Sequence, residues 1–429
     1  MIKILDENDF GKNSELIGEF TQNSRGNVTQ TVSEILENVR KFGDAAVKEY
    51  ELKFDGANLE NLCVTQEEIN RALESVGENY LQILERAAKN IREFHEHQVR
   101  NGFAFSNSEG VILGQRVIPL ERVGLYVPGG TASYPSSVLM NAIPAKIAGC
   151  REIYIATPPV IKPEIIAAAH VAGVDVIFKM GGAQAIGAFA FGTESVSKVD
   201  KIVGPGNIFV AEAKRQVFGK VAIDMIAGPS EILIIADSKN NPAYLAADML
   251  AQSEHDKLAT AILITDSREL ALQVQDELEK QIPKLERHEI ARASIENNGK
   301  IILVQELENA VKIANDIAPE HLEICVDNAF EWLCAGKIRN AGSVFLGRNA
   351  PEALGDYFAG TNHTLPTMGT ARFSSPLSVD DFVKKSQYIY YTQSALEKVS
   401  EDIAAFANSE GLTGHAQSVL IRRNNLAAG

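Results

Sequence analysis

Apolar residues recur at spacings of three and four over residues 27–54, where Thr29, Val32, Ile35, Leu36 and Val39 make one stripe. This spacing predicts an amphipathic helix, with Gly43 as a point of interruption. Residues 67–96 repeat the pattern through Ile69, Leu73, Val76, Tyr80 and Leu84 and predict a second helical region. From Val111 the pattern turns to short strands, over 111–113, 115–120 and 122–127. Strands at 153–156, 174–179 and 201–203 then alternate with helices at 163–171, 183–191 and 207–218. A second alternating series runs from a strand at 231–236 through a helix at 241–253 and strands at 260–265, 300–304, 322–326 and 343–346. Helices at 267–281, 307–317 and 330–335 fill the gaps. Such βαβ alternation calls for parallel sheets covered on both faces, here in two domains meeting near Leu120 and near Ser230.

Outside the two series the pattern is weaker. The first twenty or so residues read as an arm or a short helix. Residues 347–376 are rich in Gly, Pro, Thr and Ser, and a loop of that length in a compact protein is functional or disordered. Asp356, His363 and several aromatics favour a functional loop. The tail from Ser378 reads as helical, broken at 408–411, and is too small to form a core without a partner.

Composition narrows the classes. With 429 residues and 45% apolar content, the chain has room for two or more globular domains. A formal net charge of −15 leaves no basic excess for neutralising nucleic-acid phosphates. The N-terminal residues carry no long apolar run, and no stretch is apolar enough to span a membrane. Cys63, Cys150, Cys325 and Cys334 lack metal-binding or disulfide spacing, so a cytoplasmic location is expected.

The chemistry starts from Gln252-Ser253-Glu254-His255. If the preceding helix runs one more turn, Gln252 and His255 stand at i and i+3 on one face, where an amide oxygen and an imidazole suit a divalent ion such as zinc. The further ligand candidates are Asp356, His363 and His415, each in a Gly-flanked loop. Pro319-Glu320-His321 places a carboxylate beside an imidazole; within a regular strand they would face apart, so they cooperate only in the turn before it. The His95-Glu96-His97 cluster lacks H-E-x-x-H spacing and reads as a solvated helix face. No G-x-G-x-x-G follows a strand. Three Gly-rich turns stand in its place, at 126–130, 181–184 and 204–207; the last two open helices, where backbone N–H groups favour phosphate.

The motifs Gly124-Leu125-Tyr126-Val127-Pro128-Gly129-Gly130, Gly204-Pro205-Gly206-Asn207, Ile223-Asp224-Met225 and Gly228-Pro229-Ser230-Glu231 resemble those of the histidinol dehydrogenase family. So do Gln252-Ser253-Glu254-His255, Ala318-Pro319-Glu320-His321, Gly360-Thr361-Asn362-His363 and Glu410-Gly411-Leu412-Thr413-Gly414-His415, and the resemblance spans nearly the whole chain in order. It implies oxidation of L-histidinol through L-histidinal to L-histidine, with two NAD reduced in turn and zinc required. It implies zinc ligands Gln252, His255, Asp356 and His415, and an acid–base pair of Glu320 and His321, with His321 the general base and Glu320 activating water. Substrate would meet Ser230, His363 and Glu410, together with the metal ligands and His321. Tyr126, Gln184 and Asn207 match the family's NAD contacts.

The implied fold is α/β, with two Rossmann-like parallel-sheet domains, one inserted in the other. The expected division is an arm at 1–23, a zinc-bearing domain of 24–120 and 231–377, a cofactor domain at 121–230, and a helical dimerisation segment at 378–429. The resemblance further implies a homodimer with exchanged end segments, so that Glu410 and His415 serve the partner's site. A zinc hydrolase using the same ligands would not need three phosphate-suited turns. A two-lobed solute-binding protein, the non-enzyme alternative, would ordinarily be exported.

Overall fold

Two parallel sheets form around the apolar strands that the alternation marks. The computed structural model describes residues 1–10, 25–129 and 134–424, so Gly130 and much of the expected N-terminal arm lie outside the described residues. By Cα proximity the chain divides into two units, residues 1–98 with 120–382, and residues 99–119 with 383–429.

In the first unit, one sheet has six strands. Its order is Lys3–Asp6, Lys300–Leu303, Thr260–Thr265, Glu231–Ala236, His321–Cys325 and Ser343–Leu346, all parallel. Strands Glu231–Ala236 and His321–Cys325 are buried along their whole length, as strands covered on both faces must be. The other sheet has five strands in the order Val176–Lys179, Glu152–Thr157, Arg122–Tyr126, Lys201–Val203 and Ala222–Ile223, again parallel. The chain runs outward from Arg122–Tyr126 on one side, then returns to Lys201–Val203 on the other. That reversal makes the crevice between those two strands the topological switch point, where ligands of open α/β sheets bind.

The helices at 25–96 depart from the expected division. They do not join the six-stranded sheet. Val32, Ile35, Leu36 and Val39 of helix Arg25–Asp55 pack with Phe178 and Phe189. Leu84, Ala88 and Ile91 of helix Glu78–Glu96 pack with Leu139 and Ile143. All four of those partners belong to the five-stranded layer, and sequence order carries no information about which sheet an apolar stripe will cover. Gly43 does interrupt the first helix, at φ 53° and ψ −131°. The second helical region is two helices, Gln66–Val76 and Glu78–Glu96, because Gly77 at φ 76° ends one and begins the next.

Further elements went unread in sequence, helix Pro135–Ala148 and strands Phe103–Ser106 and Ala222–Ile223 among them. Lys3–Asp6 is an edge strand and not part of an arm. Helix His288–Asn297 buries only Ala291, Ser294 and Ile295, too small a stripe to register as apolar. In the second unit, Val383–Tyr390 is a strand and not a helix; it pairs antiparallel with Ile112–Pro119, which pairs with Phe103–Ser106. The Tyr388-Ile389-Tyr390 run favours a strand once such a neighbour exists. Helices Gln393–Ser409 and Thr413–Asn424 complete that unit.

Candidate active site

Asn241 caps helix Pro242–Ser253 by accepting from the Ala243 N–H at 2.9 Å, with Pro242 at the first helical position. The turn continues past Ser253, since the His255 N–H donates to the Gln252 carbonyl at 3.2 Å. Gln252 and His255 therefore keep the i, i+3 relation. Gln252 is buried, and its amide nitrogen lies 3.5 Å from Glu320 Oε2 and 3.1 Å from His321 Nδ1. The His255 ring stacks on Tyr134, with centroids 6.4 Å apart and planes 11° apart.

Asp356 comes from a short helix, Glu352–Tyr357, inside the long loop. Glu352 stands one turn earlier, at i, i+4 to Asp356. One ligand atom each from His255, Glu352 and Asp356 falls within a mutual 4.8 Å. Sequence reading omitted Glu352; a helix starting after Pro351 would have put it on the Asp356 face. Its Oε2 is buried with no hydrogen-bond partner among the described residues. Burial, then the negative charges of Asp356 and Glu320, push its carboxyl well above the usual carboxylate range. A buried acidic group packed among others of its kind is stabilised by a cation. Imidazole and carboxylate donors are those that zinc accepts.

Glu320 and His321 meet as the turn geometry requires, with Glu320 just before strand His321–Cys325 and its Oε2 3.6 Å from His321 Nδ1. Nδ1 also lies 3.0 Å from the backbone carbonyl of Glu231 and 3.1 Å from the Gln252 amide nitrogen. A carbonyl can only accept, so Nδ1 carries the proton and donates to Glu231. Nε2 then holds the lone pair. It is buried without a partner among the described residues, 3.9 Å from Glu352 Oε1 and 4.0 Å from Asp356 Oδ1. Burial depresses the His321 pKa to about 4, so the ring is neutral at neutral pH and Nε2 is free to take a proton. Glu320 accepts from the Glu231 N–H at 2.9 Å, yet burial raises its carboxyl well above the usual range.

His363 lies with Nδ1 3.6 Å from Asp356 Oδ1 and Nε2 3.2 Å from the Ser137 hydroxyl. Ser137 opens helix Pro135–Ala148, and sequence reading did not single it out. Burial lowers the His363 pKa. Ser230 immediately precedes strand Glu231–Ala236 and accepts from the Thr260 N–H at 2.9 Å through its carbonyl. Glu410 and His415 belong to the second unit, both exposed, at the end of helix Gln393–Ser409 and in helix Thr413–Asn424. His95 is not on a solvated face: it is buried, with Nδ1 2.8 Å from the Ile91 carbonyl and Nε2 3.2 Å from Asn362.

The described parts of the three Gly-rich turns converge on Tyr126. Its hydroxyl accepts from the Gly182 N–H at 3.1 Å. A Cβ on Gly204 would lie 2.2 Å from its carbonyl oxygen, and Gly129 and Gly181 both press on Pro158. Several of the N–H donors at these turns are engaged within the fold. The Gly181 N–H and the Gln184 amide both donate to Glu51 Oε1 at 2.9 Å. Asn207 Oδ1 accepts from Phe209 and Val210 at 3.0 and 3.1 Å. Gly204 is clamped by Asp224, which accepts its N–H at 2.7 Å, and by Lys214, which donates to its carbonyl at 2.9 Å. The glycines thus serve close packing at the switch point.

The histidinol dehydrogenase family model matches residues 19–423 of the chain. Histidinol dehydrogenase of Clostridium acetobutylicum is 53% identical over 399 residues, covering 92% of each protein. That of Bacillus cereus strain ATCC 14579 is 52% identical over 427 residues, or 98% of this chain and 96% of the relative. The chain belongs to the histidinol dehydrogenase family. It is accordingly an oxidoreductase. A crystal structure of histidinol dehydrogenase from Elizabethkingia anophelis superposes with a TM-score of 0.92 at 38% identity, covering 100% of this chain and 99% of that one. The α/β architecture of paired parallel sheets is therefore that of the histidinol dehydrogenase family. Among the described residues no helix is long and apolar enough to cross a membrane.

Proposed function

We propose that this member of the family oxidises L-histidinol through L-histidinal to L-histidine, the end of histidine biosynthesis, with two NAD and a bound zinc ion. The observation that carries this reading is the neutral, buried His321, whose Nε2 has no partner among the described residues and faces Glu352 and Asp356, with Glu320 beside its Nδ1. Gln252, His255 and Asp356 would hold the zinc, with the partner subunit's His415 as fourth ligand and the partner subunit's Glu410 against substrate. When bound, zinc supplies a Lewis-acidic anchor for the imidazole and amine of histidinol, and NAD supplies the hydride acceptor.

The chain's own residues do the proton work. His321 Nε2 takes the hydroxyl proton as hydride leaves the alcohol carbon, which gives the aldehyde. Glu320 in its ionised form activates the water that hydrates the aldehyde; its raised pKa makes it a stronger base for that step. His321, once it has passed its first proton to water, takes the hydrate's hydroxyl proton as the second hydride leaves. His363, kept neutral by burial and oriented by Ser137, and Ser230 bound the substrate on the remaining sides. The nucleotide lies at the switch point against Tyr126, Gln184 and Asn207. Gln184 Oε1, buried without a partner among the described residues, is an acceptor for a hydroxyl or amine there. The exposed apolar residues Phe103, Phe105, Ile389, Tyr390 and Phe406 of the second unit support a subunit interface, as an exchanged dimer requires. Four free cysteines favour the cytoplasm.

Absorbance of NADH after adding histidinol and NAD tests the reading. Two NADH per histidinol are expected, with loss on chelation and recovery with zinc. A single NADH per substrate, or full activity in a protein stripped of metal, would overturn it.

A further inference from the structure

Glu323 joins the three elements that carry the site, and no step above uses it. It stands two residues after His321 on strand His321–Cys325, on the same face, and is 1% exposed. Its Oε1 accepts the Glu352 backbone N–H at 2.8 Å, at the first residue of the helix that bears Asp356. Its carboxyl also hydrogen-bonds to the Asp248 carboxyl. Asp248 lies on helix Pro242–Ser253, one turn before Gln252.

Two carboxyls can share a hydrogen bond only when one keeps its proton. Burial raises both carboxyls, so the pair shares a proton. Arg348, a cation near this strand's far end, is engaged by Asp237 at 2.7 Å and by Asp327. Glu323 thus shares a proton with a side chain of one ligand-bearing helix and accepts from the backbone of the other.

We propose that Glu323 is a positioning residue that fixes the Asp356 helix against the Gln252 helix, so that their metal-directed groups are pre-set. The inference rests on the metal reading above. Residues that orient ligands through such contacts alter metal affinity by roughly 10–100-fold when removed.

The test is zinc affinity of the full-length protein, measured by competition with a chromophoric chelator, with melting curves alongside. Glu323→Gln keeps both hydrogen bonds, its oxygen accepting from Glu352 and its amide donating to Asp248, so its affinity stays within about threefold of the starting protein. Glu323→Leu loses both and binds zinc roughly 10–100-fold more weakly. Asp248→Ala breaks one of the two contacts and serves if Glu323→Leu fails to fold; its affinity falls by roughly tenfold. Unchanged affinity in Glu323→Leu, or in Asp248→Ala where that variant stands in, overturns the proposal. So does a Glu323→Gln protein as weak as the leucine variant, because the role would then need charge. A starting protein that takes up no zinc sinks the metal reading first and this inference with it.

Discussion

The His321 ring hydrogen-bonds through Nδ1 to the backbone carbonyl of Glu231 at 3.0 Å. That one contact selects the tautomer and makes Nε2 the reactive nitrogen. His321→Asn keeps a donor for the Glu231 carbonyl and has no basic nitrogen. Its kcat should fall by roughly 10²–10⁴-fold, the usual share of a general base, with zinc content and melting temperature near the starting values. Steady-state kinetics with metal analysis checks this; near-normal turnover would remove His321 from the mechanism.

Glu231 gives a prediction in pH. Its Oε1 accepts from the Met368 N–H at 2.9 Å, its Oε2 is buried without a partner among the described residues, and burial raises its pKa to about 7. The folded value lies above the ordinary 4.5, so the folded state binds this proton more tightly. Its contribution is fully present below about pH 4.5 and is lost as pH rises through 7. Glu231→Gln cannot lose that proton. Between pH 5 and 8 the variant should gain on the starting protein by up to about 3 kcal/mol. Chemical denaturation at several pH values measures it, and parallel pH profiles would show that Glu231 does not titrate there.

Glu51 bears on the cofactor turn. It is fully buried in helix Arg25–Asp55 and holds both the Gly181 N–H and the Gln184 amide. Glu51→Ala leaves both donors unpaired, at about 1–3 kcal/mol each. Stability should drop, and KM for NAD should rise more than kcat falls, because the turn and not the proton chemistry is disturbed. An unchanged KM for NAD would separate this turn from the cofactor.

Gly204 is a position where no side chain fits. Its φ is 110°, and a Cβ would lie 2.2 Å from the Tyr126 carbonyl. Gly204→Ala should cost about 3 kcal/mol or more, through backbone strain and separation of the two switch-point strands. Thermal melting decides it; a melt unchanged within a degree or two would mean the strands part easily.

Much of this was legible in the chain itself. Strands such as 231–236 and 260–265 were marked at both ends, because a continuous apolar run bounded by polar turns has few other solutions. Gln252 with His255, and Glu320 with His321, were readable because their spacing is local. Glu352, Glu231 and Glu51 were not. Each acts through a partner far off in sequence, and a lone glutamate carries no mark of being buried. The same applies to Val383–Tyr390, whose strand character depends on Ile112–Pro119 being there to receive it. Lengthwise pattern could not assign residues 25–96 to a sheet for the same reason.

The edge strand Lys3–Asp6 has a consequence for synthesis. It pairs residue by residue with Lys300–Leu303, so the first-made strand has no neighbour until about three hundred residues have followed it. At ribosomal rates that wait is roughly 15–60 s, during which the five-stranded layer and its helices can form complete. The six-stranded layer, with His321 at its heart, closes late and only when both ends of a long stretch of nascent chain meet.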